Sequence, residues 1–274
     1  MNCSLSKLTK NELENYILPF IPKNKRDFPR SFNALDIFKC IVHKLKTGCQ
    51  WDSLFVDIES FKVPFSWQTV YYFYRKWCKQ GVFEQMFSTY LEIKKDKLDT
   101  EKLNLDGTHS LVKKAAESSE YQYRKKGKTS NVLIMTGGRR IPIAIGTILK
   151  GNHNDLFCIV PPFSKMVKDL KLKGIYLQNS ILNSDKGFDS KKFRRALMRR
   201  NVLPNIKENS RNRKTKKREK KRFYNSAIYQ KIFVNERCFA WLDSFKTLLI
   251  RFDKSDKHWL NWHYLAFALI LLKV

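Results

Sequence analysis

Leu103-Asn104-Leu105-Asp106-Gly107-Thr108 is the stretch on which the reading of this chain turns. It is a short β-type run in which an apolar strand ends on a carboxylate, with glycine directly behind it. Further β-type runs follow at Asn131–Thr136 and Ile141–Leu149, and Gly137-Gly138 between them marks a hairpin turn. A helix is expected from about Asp155 to Lys173, then a strand-like run Ile175–Asn183, a basic helix after Asp189, a short strand Val202–Ile206 and a long amphipathic helix Ser226–Ile250. The order βββαβαβα is that of a mixed sheet with helices on its faces, an α/β class distinct from a doubly wound nucleotide-binding fold.

Three acids stand out in this half of the chain. Asp106 ends its strand, and Asp185 directly follows the apolar run Ile175–Leu182 with Gly187 close behind. Glu236 lies on the expected long helix with Ile232, Phe233, Phe239 and Ala240 one turn to either side. An ionised group among apolar neighbours has to be paired or metal-bound, because burying it alone is costly. Two strand-end aspartates and a helix glutamate converging at a sheet edge would hold two hard divalent cations through oxygen. Such a pair is suited to phosphoryl transfer on DNA. Each acid taken singly also suits a turn or a surface, and Asp243, seven residues after Glu236, is a rival for the third place. Asp189, and with it Asp155, reads as a helix cap. His109 and His153 read as hydrogen-bond partners outside the site.

Upstream of this sheet the pattern is helical. Thr9 and Glu12 form a capping box, with Leu8 and Leu13 as its staple, for a helix from Lys10 towards Phe20, which Pro22 helps to end. Asn33 caps a second helix that stops at Gly48, and Ser66 a third that stops at Gly81. A fourth covers Val82–Ile93. The third carries an apolar stripe of Trp67, Val70, Tyr71, Tyr74, Trp77 and Cys78. Gln68, Tyr72, Arg75, Lys76 and Lys79 project the other way, the amide, aromatic and basic chemistry of a helix that enters a major groove. A solvated face on an ordinary bundle fits the same pattern, and spacing does not choose between them. We therefore expect a helical DNA-binding domain over 1–95, a linker at 96–101 and a catalytic domain over 102–274.

Charge points to the same partner. The 274 residues hold 54 Lys and Arg against 25 Asp and Glu, a formal charge of +29. A compact protein rarely carries such self-repulsion unless a polyanion neutralises it. Residues 1–100 hold 16 basic and 11 acidic side chains and the remainder 38 and 14, so the second part faces phosphates more heavily. Arg124, Lys125, Lys126 and Lys128 read as phosphate contacts, or equally as a solvated loop. The Gly-Lys-Thr at 127–129 lacks the glycine at 122 that a phosphate loop requires, which excludes ATP binding there. Lys207–Arg222 has ten basic residues in sixteen and could lie along DNA. The six cysteines form no CxxC pair, as expected of reduced thiols in a cytoplasmic protein. The longest apolar run, Tyr264–Leu272, is shorter than a bilayer span and reads as the end of a core helix.

The segments NLDGTH (104–109), YRKKGKTSN, GNHNDLF, NSDKGFDS and ERCFAWLDSF resemble, in order and spacing, the DDE transposases of bacterial insertion sequences, specifically the insertion-sequence-five group. TGCQW and WQTVYYFYRKW resemble that family's DNA-binding region, and the resemblance runs on to HYLAFALILL. It implies an RNase-H-like catalytic fold with Asp106, Asp185 and Glu236 as catalytic and metal-binding residues. It also implies two Mg2+ or Mn2+ ions, cleavage at terminal inverted repeats and transfer of 3′ ends into target DNA, with a homodimer in the synaptic complex. Tyr229, seven residues before Glu236, fits the family pattern. Ile232 and Asp243 stand where relatives often carry Arg and Lys, leaving Lys231 or Lys246 for the phosphate contact. The competing reading is a catalytically inactive DNA-binding protein or regulator derived from such an element.

Overall fold

The protein is described by a computed structural model covering residues 10–22, 33–54, 65–210, 222–230 and 233–273, with the side chains of 10–13 and 233–237 excepted. Thr9, Leu8, Pro64, Lys231, Ile232 and residues 211–221 of the basic run lie outside these. The chain forms two compact units, one from residues 1–90, 113–117 and 241–273 and the other from 91–112 and 118–240.

The first unit is helical. It contains α1 (Lys10–Ile17), α2 (Ala34–Thr47), α3 (Trp67–Gln80) and most of α4 (Val82–Ile93), joined by α9 (Lys246–Leu249) and α10 (Asp256–Leu271). Asn33 caps α2 by accepting from Leu35 N–H at 2.9 Å, and Gly48 (φ +68°) and Gly81 (φ +72°) end α2 and α3 in the left-handed conformation that lacks a Cβ penalty. Ser66 sits at the start of α3 without a side-chain cap bond. The buried stripe of α3 meets α10: Tyr74 stacks on Trp262 (centroids 4.1 Å, 16° between planes), and its hydroxyl donates to His258 O at 2.7 Å. Phe73, expected on neither face, is buried as well. Arg251, fully buried, donates to Asp256 Oδ1 at 2.6 Å and to the carbonyls of Asp253 and Lys254, and lies over the Trp259 ring. The sequence boundary at 96–101 assigns 241–273 to the second domain, whereas by contact this segment groups with the N-terminal helices. An apolar helix such as α10 announces burial without saying against what.

The second unit is a mixed sheet with helices, the α/β class expected. Its strands are β1 (Lys102–Val112), β2 (Glu120–Gln122), β3 (Gly127–Thr136), β4 (Pro142–Lys150), β5 (Ile181–Ser184) and β6 (Leu203–Ile206). The order is β2-β3-β1-β5-β6, and β4 shares with β2 the outer edge of β3. β3 runs antiparallel to both β1 and β4, whereas β5 is parallel to β1 and β6 to β5. The β3–β4 hairpin turns at Gly137-Gly138; a Cβ on Gly137 would stand 2.7 Å from the Asp99 carbonyl oxygen, a backbone approach that requires glycine, and one on Gly138 would meet the Asp99 carboxylate.

Helices α5 (Val160–Leu172) and α6 (Lys191–Met198) accompany the sheet, and Phe163 meets Phe193 edge-on at 5.4 Å between them. Gly146 leaves room on β4 for Met166 of α5. Three expectations are corrected. α5 begins at Val160 rather than Asp155, because Pro161 and Pro162 favour a first turn and disfavour helix before them. β5 covers only Ile181–Ser184, because a turn with Asn179 at φ +66° interrupts the apolar run. The expected long helix stops at Asp243: α8 (Phe233–Asp243) is separated from α9 by Ser244 and Phe245, while α7 (Ser226–Gln230) is described up to residue 230.

Candidate active site

Parallel pairing of β1 with β5 sets Asn104 opposite Asn183, and Asp106 and Asp185 each follow two residues later. Neighbouring strands lie ~4.8 Å apart and side chains alternate, so the two carboxylates occupy corresponding places just past the β1–β5 pairing. Asp106 lies inside β1 rather than at its end, where the sequence set it, because pairing with β3 carries the strand on to Val112; its Oδ1 accepts from Gly107 N–H at 2.8 Å. Asp185, directly after β5, is oriented by a turn in which its Oδ1 accepts from Gly187 N–H at 2.7 Å. Burial pushes the Asp106 carboxyl up to about 6; nearby Asp155 and Asp185 add to the rise, while the Gly107 bond and His109 oppose it.

A third described carboxylate belongs to this neighbourhood. Asp155 Oδ1 accepts from Asn131 Nδ2 at 2.6 Å and lies 3.6 Å from His109 Nε2. It closes over Gly107, where a Cβ would stand 2.1 Å from that oxygen. Burial raises the Asp155 carboxyl, but the His109 and Asn131 bonds and the charges of His109 and Arg124 outweigh it and hold it low. Asp155 is therefore no helix cap: the residue ahead of α5 is Ile159. His109, set aside on sequence, is its partner. Asp189 is also corrected. Ser190 caps α6 by accepting from Phe193 N–H at 3.1 Å, while Asp189 takes Arg194 at 2.8 Å, Arg222 at 3.0 Å and Asn209 N–H at 2.9 Å.

Tyr229 on α7 feels both catalytic candidates. Burial, then Asp185, Tyr224 and Asp106, push its phenol up. Glu236 lies on α8, its side chain outside the described residues, and Asp243 ends that helix exposed. Among the described residues no three acids, histidines or cysteines form a metal-holding group. The sheet end thus brings together Asp106, Asp185, Asp155 and Tyr229. Asp155 carried no signal of its own beyond its place in GNHNDLF.

Of the basic candidates described, Arg124 is the one whose charge reaches the site, at Asp155. Gln68, Tyr72, Arg75 and Lys79 are exposed on α3 and Lys76 is partly so; Lys76 lies over the Tyr72 and Phe73 rings. Arg75 lines a cavity of about 630 Å³ within the helical unit, together with Lys44, Trp51, Trp67 and Tyr71. Arg124, Lys125, Lys126 and Lys128 are exposed around the turn between β2 and β3, Lys126 at φ +48°. A further basic groove of about 530 Å³, which the sequence did not single out, is lined by Lys191, Lys192, Arg195, Arg199, Arg200 and the small apolar residues beside them.

A mixed sheet ending on paired aspartates defines a class, and comparison with known proteins supplies it. Residues 105–271 match the family described as "DDE superfamily endonuclease", and the chain belongs to that superfamily. Residues 11–87 match the family described as "Putative transposase of IS4/5 family", which bears out the resemblance read from the motifs. The "Putative transposase for insertion sequence element IS402" of Burkholderia cepacia is 33% identical over 128 residues, 46% of this chain and 54% of that one, so the match spans about half the relative's length. Solved structures with similarity include a Mos1 transposase paired-end complex with left transposon end (13% identity, 89% of this chain and 79% of that one, TM-score 0.29). A Mos1 mariner paired-end complex with Mn is similar at 13% identity, 91% and 80% coverage and a TM-score of 0.30.

Proposed function

We propose that this endonuclease is the transposase of an insertion element, which binds terminal inverted repeats, cleaves DNA phosphodiesters and transfers the 3′ ends to target DNA. The observation that carries the reading is the placement of Asp106 and Asp185 at corresponding positions, each two residues past the paired Asn104 and Asn183 of parallel β1 and β5, with Tyr229 within electrostatic reach of both. The donors suit a divalent cation: hard carboxylate oxygens, one of them buried so far that its charge is under-compensated. Asp106 and Asp185, with Glu236 as third ligand, would hold two Mg2+ or Mn2+ ions. Bound there, such ions supply an activated oxygen nucleophile and stabilise the leaving oxygen. The chain's own contribution is orientation: the Gly107 and Gly187 amides fix one oxygen of each carboxylate.

The helical face Gln68, Tyr72, Arg75, Lys76 and Lys79 reads repeat DNA in this proposal. Arg124, Lys125, Lys126, Lys128 and Lys231 hold phosphates, and the cationic groove of α6 adds a further stripe of about 12 Å, the rise of three to four nucleotides of one strand. The catalytic region starts near residue 102, after the linker 96–101. Pairing of two element ends calls for a homodimer, and the protein works in the cytoplasm, on the nucleoid. Among the described residues no helix is long and apolar enough to cross a membrane.

Purified protein given Mg2+ or Mn2+ and a duplex bearing the element's own ends is expected to nick it and join the 3′ end to a second duplex. Asp106→Asn is expected to stop nicking and spare binding. Binding without nicking under either ion would leave the inactive DNA-binding protein as the correct reading.

A further inference from the structure

Behind the carboxylates runs a row of buried side-chain amides. Strand register places Asn104 beside Asn183 and Asn183 beside Asn205, and all three are at most 3% exposed. Asn183 Nδ2 donates to Asn104 Oδ1 at 3.2 Å, and Asn205 Nδ2 donates to Asn183 Oδ1 at 2.8 Å. At its end Asn205 grips the backbone of Asn225: it accepts from Asn225 N–H at 2.7 Å and donates to Asn225 O at 3.0 Å. Asn225 in turn caps α7, its Oδ1 accepting from Ile228 N–H at 3.1 Å. The polar chain therefore runs without a gap from Asn104, two residues before Asp106, and Asn183, two before Asp185, to the helix that carries Tyr229.

Three buried amides are an expensive way to fill a sheet face if packing were the only purpose, since buried polar groups require complete satisfaction and apolar side chains of the same size do not. What the row supplies, and an apolar row could not, is directional attachment. The clamp fixes both backbone polar groups of the α7 cap residue to β6, and through Asn183 and Asn104 to the strands of Asp185 and Asp106. We infer that Asn205 and Asn225 are positioning residues: through the amide row and the cap they set α7, and hence Tyr229, against the Asp106–Asp185 site. This rests on the endonuclease reading above and adds to it a role for the phenol beside those carboxylates.

The test is a kinetic cycle on the full chain, with Mn2+-dependent nicking of a supercoiled plasmid as the assay. Asn205→Leu removes the clamp, and Asn225→Ala removes the cap while leaving the backbone grip. Each is made alone and with Tyr229→Phe. Each single variant is expected to lose about 10- to 100-fold in kcat, the usual scale for residues that orient a site, with KM for plasmid within about twofold. In the Tyr229→Phe background neither is expected to cause further loss. An equal loss in both backgrounds, a loss confined to KM, or full activity of Tyr229→Phe would overturn the inference.

A second measurement stands apart from activity. In protein labelled with 3-fluorotyrosine, the residue 229 fluorine signal, assigned by its absence in Tyr229→Phe, is expected to be single and narrow. It should broaden or split in Asn205→Leu and Asn225→Ala, while the Tyr74 and Tyr90 signals stay unchanged. An unaltered 229 signal in both variants refutes the positioning role. Failure of the wild type to nick refutes the endonuclease reading instead, and leaves the fluorine result to decide the attachment alone.

Discussion

Replacing the half-buried Asp106 with asparagine should make the metal-free protein more stable at alkaline pH while disabling it. The Asp106 carboxyl is raised from the usual 3.8 to about 6, first by burial. With folded affinity for the proton above unfolded affinity, the native state binds more protons between those values, and stability falls as pH rises through the window. A shift of two units is worth roughly 3 kcal/mol, so above pH 6 the charged carboxylate costs about that much. In Asp106→Asn the amide oxygen would keep the Gly107 bond and the cost of the charge would be shed. At roughly 2–4 °C per kcal/mol, the unfolding transition in EDTA at pH 8 should rise by roughly 6–12 °C. At pH 4 or below, where the wild-type carboxyl is largely protonated, the two proteins should melt together. Adding Mn2+ at pH 8 should stabilise only the wild type. Calorimetry or dye-monitored melting reads all three. An equal or lower transition for Asp106→Asn at pH 8, or a gain that persists unchanged at pH 4, would refute the assignment of a desolvated, cation-seeking carboxylate.

Arg251→Met should destabilise the helical unit by roughly 3–5 kcal/mol, because it strands the Asp256 carboxylate and two carbonyls around a fully buried position; urea unfolding measures this. Gly107→Ala drives a methyl into Asp155 and should cost roughly 1–3 kcal/mol. In an Asp155→Ala background most of that cost should vanish, and equal costs in the two backgrounds would argue against the close approach. Charge reversal of Lys191, Arg195 and Arg199 together should lower the dependence of log affinity for duplex DNA on log salt by about 3. An unchanged slope would remove the α6 groove from the DNA-binding surface.

Legibility in the sequence followed the range of the cause. The Asn33 cap, the Gly48 and Gly81 stops and the Gly137-Gly138 hairpin were readable because each is decided within a few residues. Asp185 was legible at the end of its strand, and the motifs linked it to Asp106; Asp106 itself was misplaced at a strand end, because the glycine behind it reads as a stop, whereas β1 continues through Gly107 to Val112 on its pairing with β3. Asp155 escaped because its meaning arises 48 residues away, where it closes over Gly107. The asparagine row escaped for a related reason: Asn104, Asn183 and Asn205 become neighbours only through the register of parallel strands, and a polar residue in a strand otherwise reads as a solvent-facing one. Asp189 misled because acid before helix is also what a cap looks like, and the neighbouring Ser190 took that place.

The packing of α3 on α10 has a consequence for synthesis. Tyr74 waits for a partner 184 residues downstream. At about 5–20 residues per second, ribosomes need roughly 10–40 s to supply it. Throughout that interval the aromatic face of α3 is born without its cover, next to a strongly cationic nascent chain. Expression yield should therefore depend on translation speed and on holding chaperones more than the finished protein's stability would suggest. A fragment ending before residue 241 should be recovered mainly as aggregate.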